Sequence, residues 1–223
     1  MEMLDQMTRN KIQVIGFDLD NTLYPSTAEM QKKIREKIYE KISDLFGIDY
    51  EEAKRKFEES YLKIKSGSRA IRGIAKEVGY CGEIGNLDLV QEAIQEADVL
   101  DLIKPNPKLK EMLLRLKRKM DLDLITGSSQ NLILGKLSRL GIETHLFDYV
   151  LDGDSGSKLD GDVFRRWIEL RKTNPENMLY VGDNTKQDVD SPKKLGIQTC
   201  VLGDYENADF QISNILDLER ILN

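Results

Sequence analysis

Two pairs of acidic residues follow apolar runs in this 223-residue chain. Asp18 and Asp20 come directly after the run KIQVIGF, and Asp183 and Asp188 lie in the segment GDNTKQD after a second run. Helix capping would account for one aspartate in such a place but not for two. Carboxylates that converge at one point repel each other unless a cation or a proton lies between them. The pairs therefore predict a site for a hard cation of the Mg²⁺ type.

Two further segments carry groups that could bind an anion. Thr126, Gly127 and Ser128 offer hydroxyls and backbone N–H groups at an expected strand-to-helix turn, which is a plausible cradle for an oxyanion. Lys158, in SGSKLDGDVF, offers a positive charge. Each signal is weak alone, because Ser/Gly turns are common and most lysines are solvated.

The elements that must position these residues alternate between strands and helices. Short apolar runs predict six strands, at 11–17, 122–126, 147–151, 178–181, 198–202 and 209–212. Helical periodicity predicts helices at 109–116, 132–140 and 162–170, and a terminal helix at about 214–222 that Ser213 caps. This alternation is typical of an α/β fold with a doubly wound parallel sheet, whose ligands bind beyond the carboxyl ends of the strands.

The segment between the first two strands has a different pattern. From about residue 26 to residue 103 apolar residues recur every three or four positions and no strand-like alternation is present, which predicts a bundle of about four helices. We therefore expect a catalytic α/β core domain formed by residues 1–25 and 104–223, with a helical domain inserted at 26–103.

The order of these pieces resembles the four sequence motifs of the haloacid dehalogenase (HAD) superfamily. DLDNT comes first, then a strand ending near Thr126, then Lys158, then GDNTKQD, over about residues 12–202. The segment FDLDNTLYP is similar to the first motif of pyrimidine 5′-nucleotidase-like members. Two departures are Gly127, where relatives often carry Asn, and Leu-Asp-Gly after Lys158, where Pro-x-Pro is common.

The resemblance implies a role for each acidic residue. Asp18 would be the nucleophile that forms an aspartyl-phosphate, and Asp20 would protonate the leaving group and then activate water. Mg²⁺ would be bound by Asp18, Asp20, Asp183 and Asp188. Asp20 would contribute its backbone carbonyl to this metal site. Lys158 would neutralise charge on the nucleophile and the phosphoryl group.

The resemblance also implies where the substrate binds. Thr126, Gly127, Ser128 and Asn21 would contact the phosphoryl group. The inserted helices would be a C1-type cap that sets substrate choice. Within them, residues 61–73 carry four basic residues and no acid, and we expect Lys65, Ser66 and Arg69 to face the substrate. The alternative for this stretch is a solvated basic helix face.

The expected function is a Mg²⁺-dependent phosphatase of small phosphomonoesters, of which a nucleoside monophosphate and phosphoglycolate are candidates. One alternative is a haloacid dehalogenase, which Asp20 disfavours because a leaving halide needs no proton. Another is a phospho-accepting signalling module on a similar sheet, which the long helical insertion disfavours. The sequence leaves the substrate and the oligomeric state open.

Composition excludes several other classes. A formal net charge of −6 disfavours a nucleic acid polymer or an anionic membrane as the partner. His145 is the single histidine, so a site with several histidine ligands is excluded. No apolar run approaches the ~20 residues of a transmembrane helix, and no leader-like run is visible at the N-terminus. Cys81 and Cys200 form no C-x-x-C motif, so we expect a reducing, cytoplasmic location.

Overall fold

A computed structural model describes residues 12–82 and 89–222 of the chain. Within these residues, six strands form one sheet: β1 Val14–Phe17, β2 Asp121–Ile125, β3 Val150–Leu151, β4 Met178–Gly182, β5 Gln198–Leu202 and β6 Phe210–Ile212. The α-helices in the same residues are α1 Ala28–Phe46, α2 Tyr50–Ile64, α3 Gly67–Glu77, α4 Leu89–Glu96, α5 Pro107–Lys117, α6 Gln130–Leu140, α7 Asp162–Arg171, α8 Ser191–Lys193 and α9 Leu218–Leu222. None of the helices in the described ranges is long and apolar enough to cross a bilayer.

The sheet is parallel throughout, with the strand order β3-β2-β1-β4-β5-β6. The prediction of a doubly wound α/β fold is confirmed. β1 lies in the centre, and its last residue, Phe17, pairs in register with Leu124 of β2 and Val181 of β4. The order of the strands reverses between β1 and β4, which is where such sheets form a crevice for ligands.

The central strands are buried over their whole length, as their apolar sequences require in a sheet covered on both faces. Gly16 of β1 is needed for close packing against α7. A Cβ atom at this position would lie 2.8 Å from Cη2 of Trp167, whose ring is completely buried. α7 can therefore approach the middle of the sheet because β1 carries no side chain there.

A buried carboxylate fastens β2 to the same helix. Asp123 accepts hydrogen bonds from the Trp167 indole N–H (2.6 Å), from the Tyr149 backbone N–H (2.9 Å) and from Arg171. Arg171 also bonds to Asp121 (2.7 Å), and its guanidinium lies 4.8 Å from the centre of the Tyr149 ring. We call these five residues the Arg171 network. The network stabilises the buried negative charge of Asp123 by surrounding its carboxylate with hydrogen-bond donors.

Several predicted element boundaries differ from the structure by one to three residues, and three of them have a local cause or bear on the site. The third strand begins at Val150 rather than 147, because Phe147 closes a 3₁₀ turn by donating its backbone N–H to the Thr144 carbonyl. Thr126 lies one residue beyond the end of β2. Asn214, not Ser213, caps the C-terminal helical segment, since the Asn214 side chain accepts from the Leu216 N–H.

The chain divides into two compact units, one of residues 1–25 with 104–223 and the other of residues 26–103. We call them the core unit and the insert unit. In the insert unit, α1 to α4 pack around their own apolar core, which includes Ile38, Ile42, Phe57, Ile71 and Ala93. The residues described there are helical or in turns, as the periodicity predicted.

Candidate active site

Asp18 is the first residue after β1, and its position is set by the sheet. Its backbone N–H donates to the Val181 carbonyl of β4 (2.8 Å), which continues the strand pairing by one residue. Its side chain is buried, and the Lys158 ammonium donates to one carboxylate oxygen at 2.5 Å. The Thr22 hydroxyl approaches the other oxygen at 3.4 Å. The candidate nucleophile is therefore held in one orientation at the switch point of the sheet.

Lys158 joins two carboxylates at the bottom of the site. Its ammonium also donates to Asp188 (3.0 Å) and lies 5.3 Å from the centre of the Tyr180 ring, within the range of a cation–π contact. The Ser191 hydroxyl donates to the Lys158 backbone carbonyl at 2.5 Å and anchors the segment. Burial alone would lower the pKa of Lys158, but the attraction of Asp18 and Asp188 raises it well above its ordinary value. Lys158 is therefore a fixed positive charge.

Three carboxylates, one of them that of Asp18, lie close together. One oxygen each from Asp18, Asp183 and Asp188 lies within 4.8 Å of the other two. Asp18 and Asp188 are buried, and Asp183 is half-buried. The Asn21 side-chain amide donates to Asp183 at 2.6 Å, from a backbone position with a left-handed φ of 60°.

This group fits a hard divalent cation by the chemistry of its donors. All three ligands are carboxylate oxygens, which Mg²⁺ prefers. Lys158 offers one positive charge against three negative ones. Burial, with added repulsion from Asp188 and Asp20, raises the pKa of Asp18 to about 7 although Lys158 opposes the rise. A cation would relieve this excess of negative charge without a proton on the nucleophile.

Asp188 is placed by a tight turn after β4. Asn184 begins a π-helical turn, Thr185–Asp190, by accepting the N–H groups of Lys186 and Gln187 with its side chain. The Asn184 backbone N–H donates to Asp188 at 2.9 Å. Asn184 therefore shapes the loop, and Asp188 supplies the carboxylate.

Asp20 is not among the three clustered carboxylates. One of its oxygens accepts from the Lys136 ammonium (2.6 Å) and from the Tyr24 hydroxyl, and the other accepts from the Ser128 hydroxyl (2.8 Å). Burial would raise the pKa of Asp20, but Lys136 and these hydrogen bonds outweigh it and lower that pKa below its ordinary value. The two aspartates of DLDNT thus form ion pairs with different lysines, Asp18 with Lys158 and Asp20 with Lys136.

The turn after β2 lies at the same edge of the sheet. Thr126 is buried, and its hydroxyl accepts the Ser128 backbone N–H at 3.2 Å. Gly127 is exposed, and no heavy atom lies within 4 Å of where its Cβ would be. The contact of Ser128 with the phosphoryl group stays a prediction; its hydroxyl donates to Asp20 and accepts from Lys136.

The three residues predicted in the insert unit lie together at the α2–α3 turn. Lys65 ends α2 with a left-handed φ of 56°, Ser66 precedes α3, and Arg69 lies in the first turn of α3. All three are half-buried. Their expected role in substrate choice stays a prediction.

Sequence reasoning missed Lys136, Tyr24 and Tyr180. A signal for Lys136 was present, because it lies on the same face of α6 as Ile133, Leu137 and Leu140, where an apolar residue is expected. Tyr24 and Tyr180 look like ordinary core residues in the sequence. Nothing there shows that the Tyr24 hydroxyl donates to Asp20 or that the Tyr180 ring faces Lys158.

Sheet and site together define an α/β enzyme core with a carboxylate site at the topological switch point. The chain belongs to the haloacid dehalogenase-like hydrolase family, whose model matches residues 15–202. The predicted superfamily is confirmed, and with it the prediction of a hydrolase. The pyrimidine 5′-nucleotidase-like subclass and the C1 type of the insertion stay predictions.

Similar proteins cover nearly the whole chain. A glyceraldehyde 3-phosphate phosphatase of Methanocaldococcus jannaschii is 27% identical over 95% of this chain and 97% of its own length. The crystal structure of a HAD phosphatase from Thermococcus onnurineus superposes with a TM-score of 0.66 at 22% identity, covering 95% of this chain and 98% of that one. The HAD-hydrolase YfnB of Bacillus subtilis, bound to magnesium, gives a TM-score of 0.64 at 18% identity, covering 96% and 99%.

Proposed function

We propose that this protein is a Mg²⁺-dependent phosphatase that hydrolyses small phosphomonoesters through an aspartyl-phosphate on Asp18. The observation that carries the proposal is the buried Asp18 carboxylate, which pairs with Lys158 at 2.5 Å and lies in a cluster with Asp183 and Asp188. A nucleophilic carboxylate needs a fixed orientation and nearby positive charge when it meets an anionic phosphoryl group.

In the first half of the reaction an Asp18 oxygen attacks phosphorus, and the bond from phosphorus to the ester oxygen breaks. The leaving oxygen takes a proton from Asp20. In the second half Asp20 takes a proton from water as that water attacks phosphorus, which releases inorganic phosphate and restores Asp18. The donors around Asp20 lower its pKa and favour its carboxylate form, which is the form that the second half requires, whereas the first half starts from the protonated form that they disfavour.

The remaining residues of the core unit would bind the phosphoryl group and balance its charge. Lys158 offsets the repulsion between Asp18 and the incoming oxygens. The Thr126 side chain and the backbone N–H groups of Gly127 and Ser128 would bind phosphoryl oxygens. The role of Asn21 would be to orient Asp183, because the Asn21 side-chain amide donates a hydrogen bond to that carboxylate.

Asp18, Asp183 and Asp188 would hold Mg²⁺, together with the backbone carbonyl of Asp20. When bound, the ion supplies positive charge that offsets the carboxylates and the charge on the phosphoryl oxygens. The oxygen-only donor set and the excess of negative charge support this assignment. The magnesium named for YfnB of B. subtilis agrees with it.

The substrate is a small phosphorylated metabolite. The glyceraldehyde 3-phosphate phosphatase of M. jannaschii favours a triose phosphate as the first candidate, ahead of a nucleoside monophosphate or phosphoglycolate. We propose that the insert unit is a C1-type cap that discriminates among them, and that Lys65, Ser66 and Arg69 contribute to the choice.

A panel of phosphomonoesters, assayed with Mg²⁺ and with EDTA, tests the proposal. We expect release of inorganic phosphate that requires Mg²⁺ and is lost in Asp18→Asn, which nearly preserves the shape of the side chain. Turnover of a 2-chloro acid without Mg²⁺ would favour a dehalogenase instead. A stable phosphoprotein that releases no phosphate from free esters would favour a signalling module.

A further inference from the structure

A lysine lies on the core-facing side of α6. The helix buries Leu132, Ile133, Leu137 and Leu140, and Lys136 shares their face with 1% of its surface exposed. An ammonium is costly at such a place unless it is paired and hydrogen-bonded. The partners of Lys136 therefore explain why a charge occupies this position.

Those partners form a closed triangle. The Lys136 ammonium donates to an Asp20 oxygen at 2.6 Å and to the Ser128 hydroxyl at 2.7 Å. The Ser128 hydroxyl donates in turn to the second Asp20 oxygen at 2.8 Å. Tyr24 donates to the first oxygen. Both oxygens of Asp20 are thus held by groups from α6, from the turn before it and from the segment after β1.

We propose that Lys136, acting with Ser128, is a positioning residue that aims the acid/base Asp20; this rests on the proposed phosphatase function. Lys136 itself transfers no proton and forms no covalent bond. A group that must give a proton to the leaving oxygen and later take one from water has to stay within hydrogen-bond reach of both. The triangle provides this constraint by fixing the carboxylate from two sides, and none of its members belongs to the Asp18, Asp183 and Asp188 cluster.

A positioning role differs from a merely structural one in its dependence on the leaving group. 4-Nitrophenolate leaves without much help from an acid, whereas the alkoxide of an alkyl ester needs a proton. Misaiming Asp20 should therefore slow phosphoenzyme formation from glycerol 3-phosphate more than from 4-nitrophenyl phosphate. General loosening of the fold would slow both to the same degree.

The test compares Lys136→Met with Lys110→Met in single-turnover assays on both esters. Lys110 forms an ion pair with Glu143 at 2.7 Å on the surface of the core unit, so its variant removes an ammonium from a bond of similar length. We expect Lys136→Met to lose about a hundredfold with the alkyl ester, because a misplacement of about 1 Å can cost that much, and far less with the aryl ester. Lys110→Met should match the wild type on both.

A double-mutant cycle with Asp20→Asn isolates the route of the effect. If Lys136 acts through Asp20, Lys136→Met adds little to Asp20→Asn, and the loss with the alkyl ester does not multiply. Ser128→Ala, which removes one corner of the triangle, should show the same leaving-group pattern with a smaller loss, and it serves as the variant if Lys136→Met does not fold.

Equal losses with both esters, full multiplication of the two losses in the cycle, or no loss at all would overturn the proposal for Lys136. Each of these outcomes is read against a wild-type enzyme that turns over. A wild type that hydrolyses neither these two esters nor any other phosphomonoester of the panel with Mg²⁺ would instead reject the phosphatase function itself.

Discussion

Gly182, the last residue of β4, lies so close to Asp188 that its lack of a side chain is a requirement of the site. A Cβ at this position would overlap Oδ2 of Asp188 and would lie 2.5 Å from the Cβ of that residue. Asp188 cannot retreat freely, because Lys158 holds one of its oxygens at 3.0 Å and the Asn184 backbone N–H holds the other at 2.9 Å. Gly182→Ala must therefore displace the carboxylate or the strand end.

Two effects of Gly182→Ala can be given magnitudes. Overpacking of this kind costs typically about 1–3 kcal/mol of the free energy of unfolding. Displacement of Asp188 also removes one of the three clustered carboxylates from its place. We expect the Mg²⁺ concentration for half-maximal turnover to rise about ten- to hundredfold, as when the support of a metal ligand is lost.

The assay is a Mg²⁺ titration of phosphatase turnover, paired with chemical denaturation of the same preparations. Gly73→Ala is the matched control, because a Cβ there meets the Ser60 hydroxyl oxygen at an ordinary 3.7 Å. Gly73 lies inside α3, so alanine should stabilise the protein by about 0.5–1 kcal/mol and leave the Mg²⁺ requirement unchanged. A Gly182→Ala protein with wild-type stability and a wild-type Mg²⁺ requirement would refute the packing argument.

Three further predictions concern other parts of the chain. Arg171→Met leaves the buried Asp123 without its cation and should lower the free energy of unfolding by about 3–5 kcal/mol. The control Arg165→Met, which breaks the exposed ion pair with Asp162, should lower it by no more than about 1 kcal/mol. Equal losses of unfolding free energy in the two variants would contradict this prediction. Arg69→Ala should change the ratio of kcat/KM between a triose phosphate and 4-nitrophenyl phosphate about tenfold, the worth of a hydrogen bond to a charged group; an unchanged ratio would remove Arg69 from substrate choice. Burial would raise the pKa of Asp209, but Lys193 and other hydrogen-bond donors lower it below its ordinary value of 3.8. The stability that the Lys193–Asp209 ion pair adds is therefore present above pH 3.8 and is lost as the pH falls through the lowered pKa of the folded protein. The difference in unfolding free energy between wild type and Lys193→Met should therefore shrink in acid, and a difference that grows there would reverse the assigned sign.

The sheet was predictable from the sequence because its central strands are apolar on both faces. The run before Asp18 and the run before Asp183 mark β1 and β4, and parallel pairing brings their carboxyl ends to one edge. The short third strand was less predictable. Phe147 has the character of a strand residue, but a backbone hydrogen bond to Thr144 closes a 3₁₀ turn at that point. Local turn geometry overrode the propensity of the residue.

The position of a site residue was predictable where that residue follows a strand, and less so where the position depends on tertiary contacts. Asp18 and Asp183 belong to the first kind, and Lys158 was placed with them by the order of the motifs that resemble the HAD superfamily. Lys136 and Ser128 belong to the second. Their shared contact with Asp20 depends on how α6 packs against the segment after β1, and no spacing in the sequence encodes that contact.

The most direct test of the account is to locate the phosphoryl group on the protein during turnover. Asp20→Asn enzyme is mixed with Mg²⁺ and 4-nitrophenyl phosphate, whose leaving group needs little help from an acid, and is then quenched in acid, digested and analysed by peptide mass spectrometry. We predict one added phosphoryl group on the peptide that contains Asp18, which is absent in EDTA and in the Asp18→Asn protein. A phosphoryl group on any other residue, or an Asp18→Asn protein that turns over like the wild type, would contradict the account.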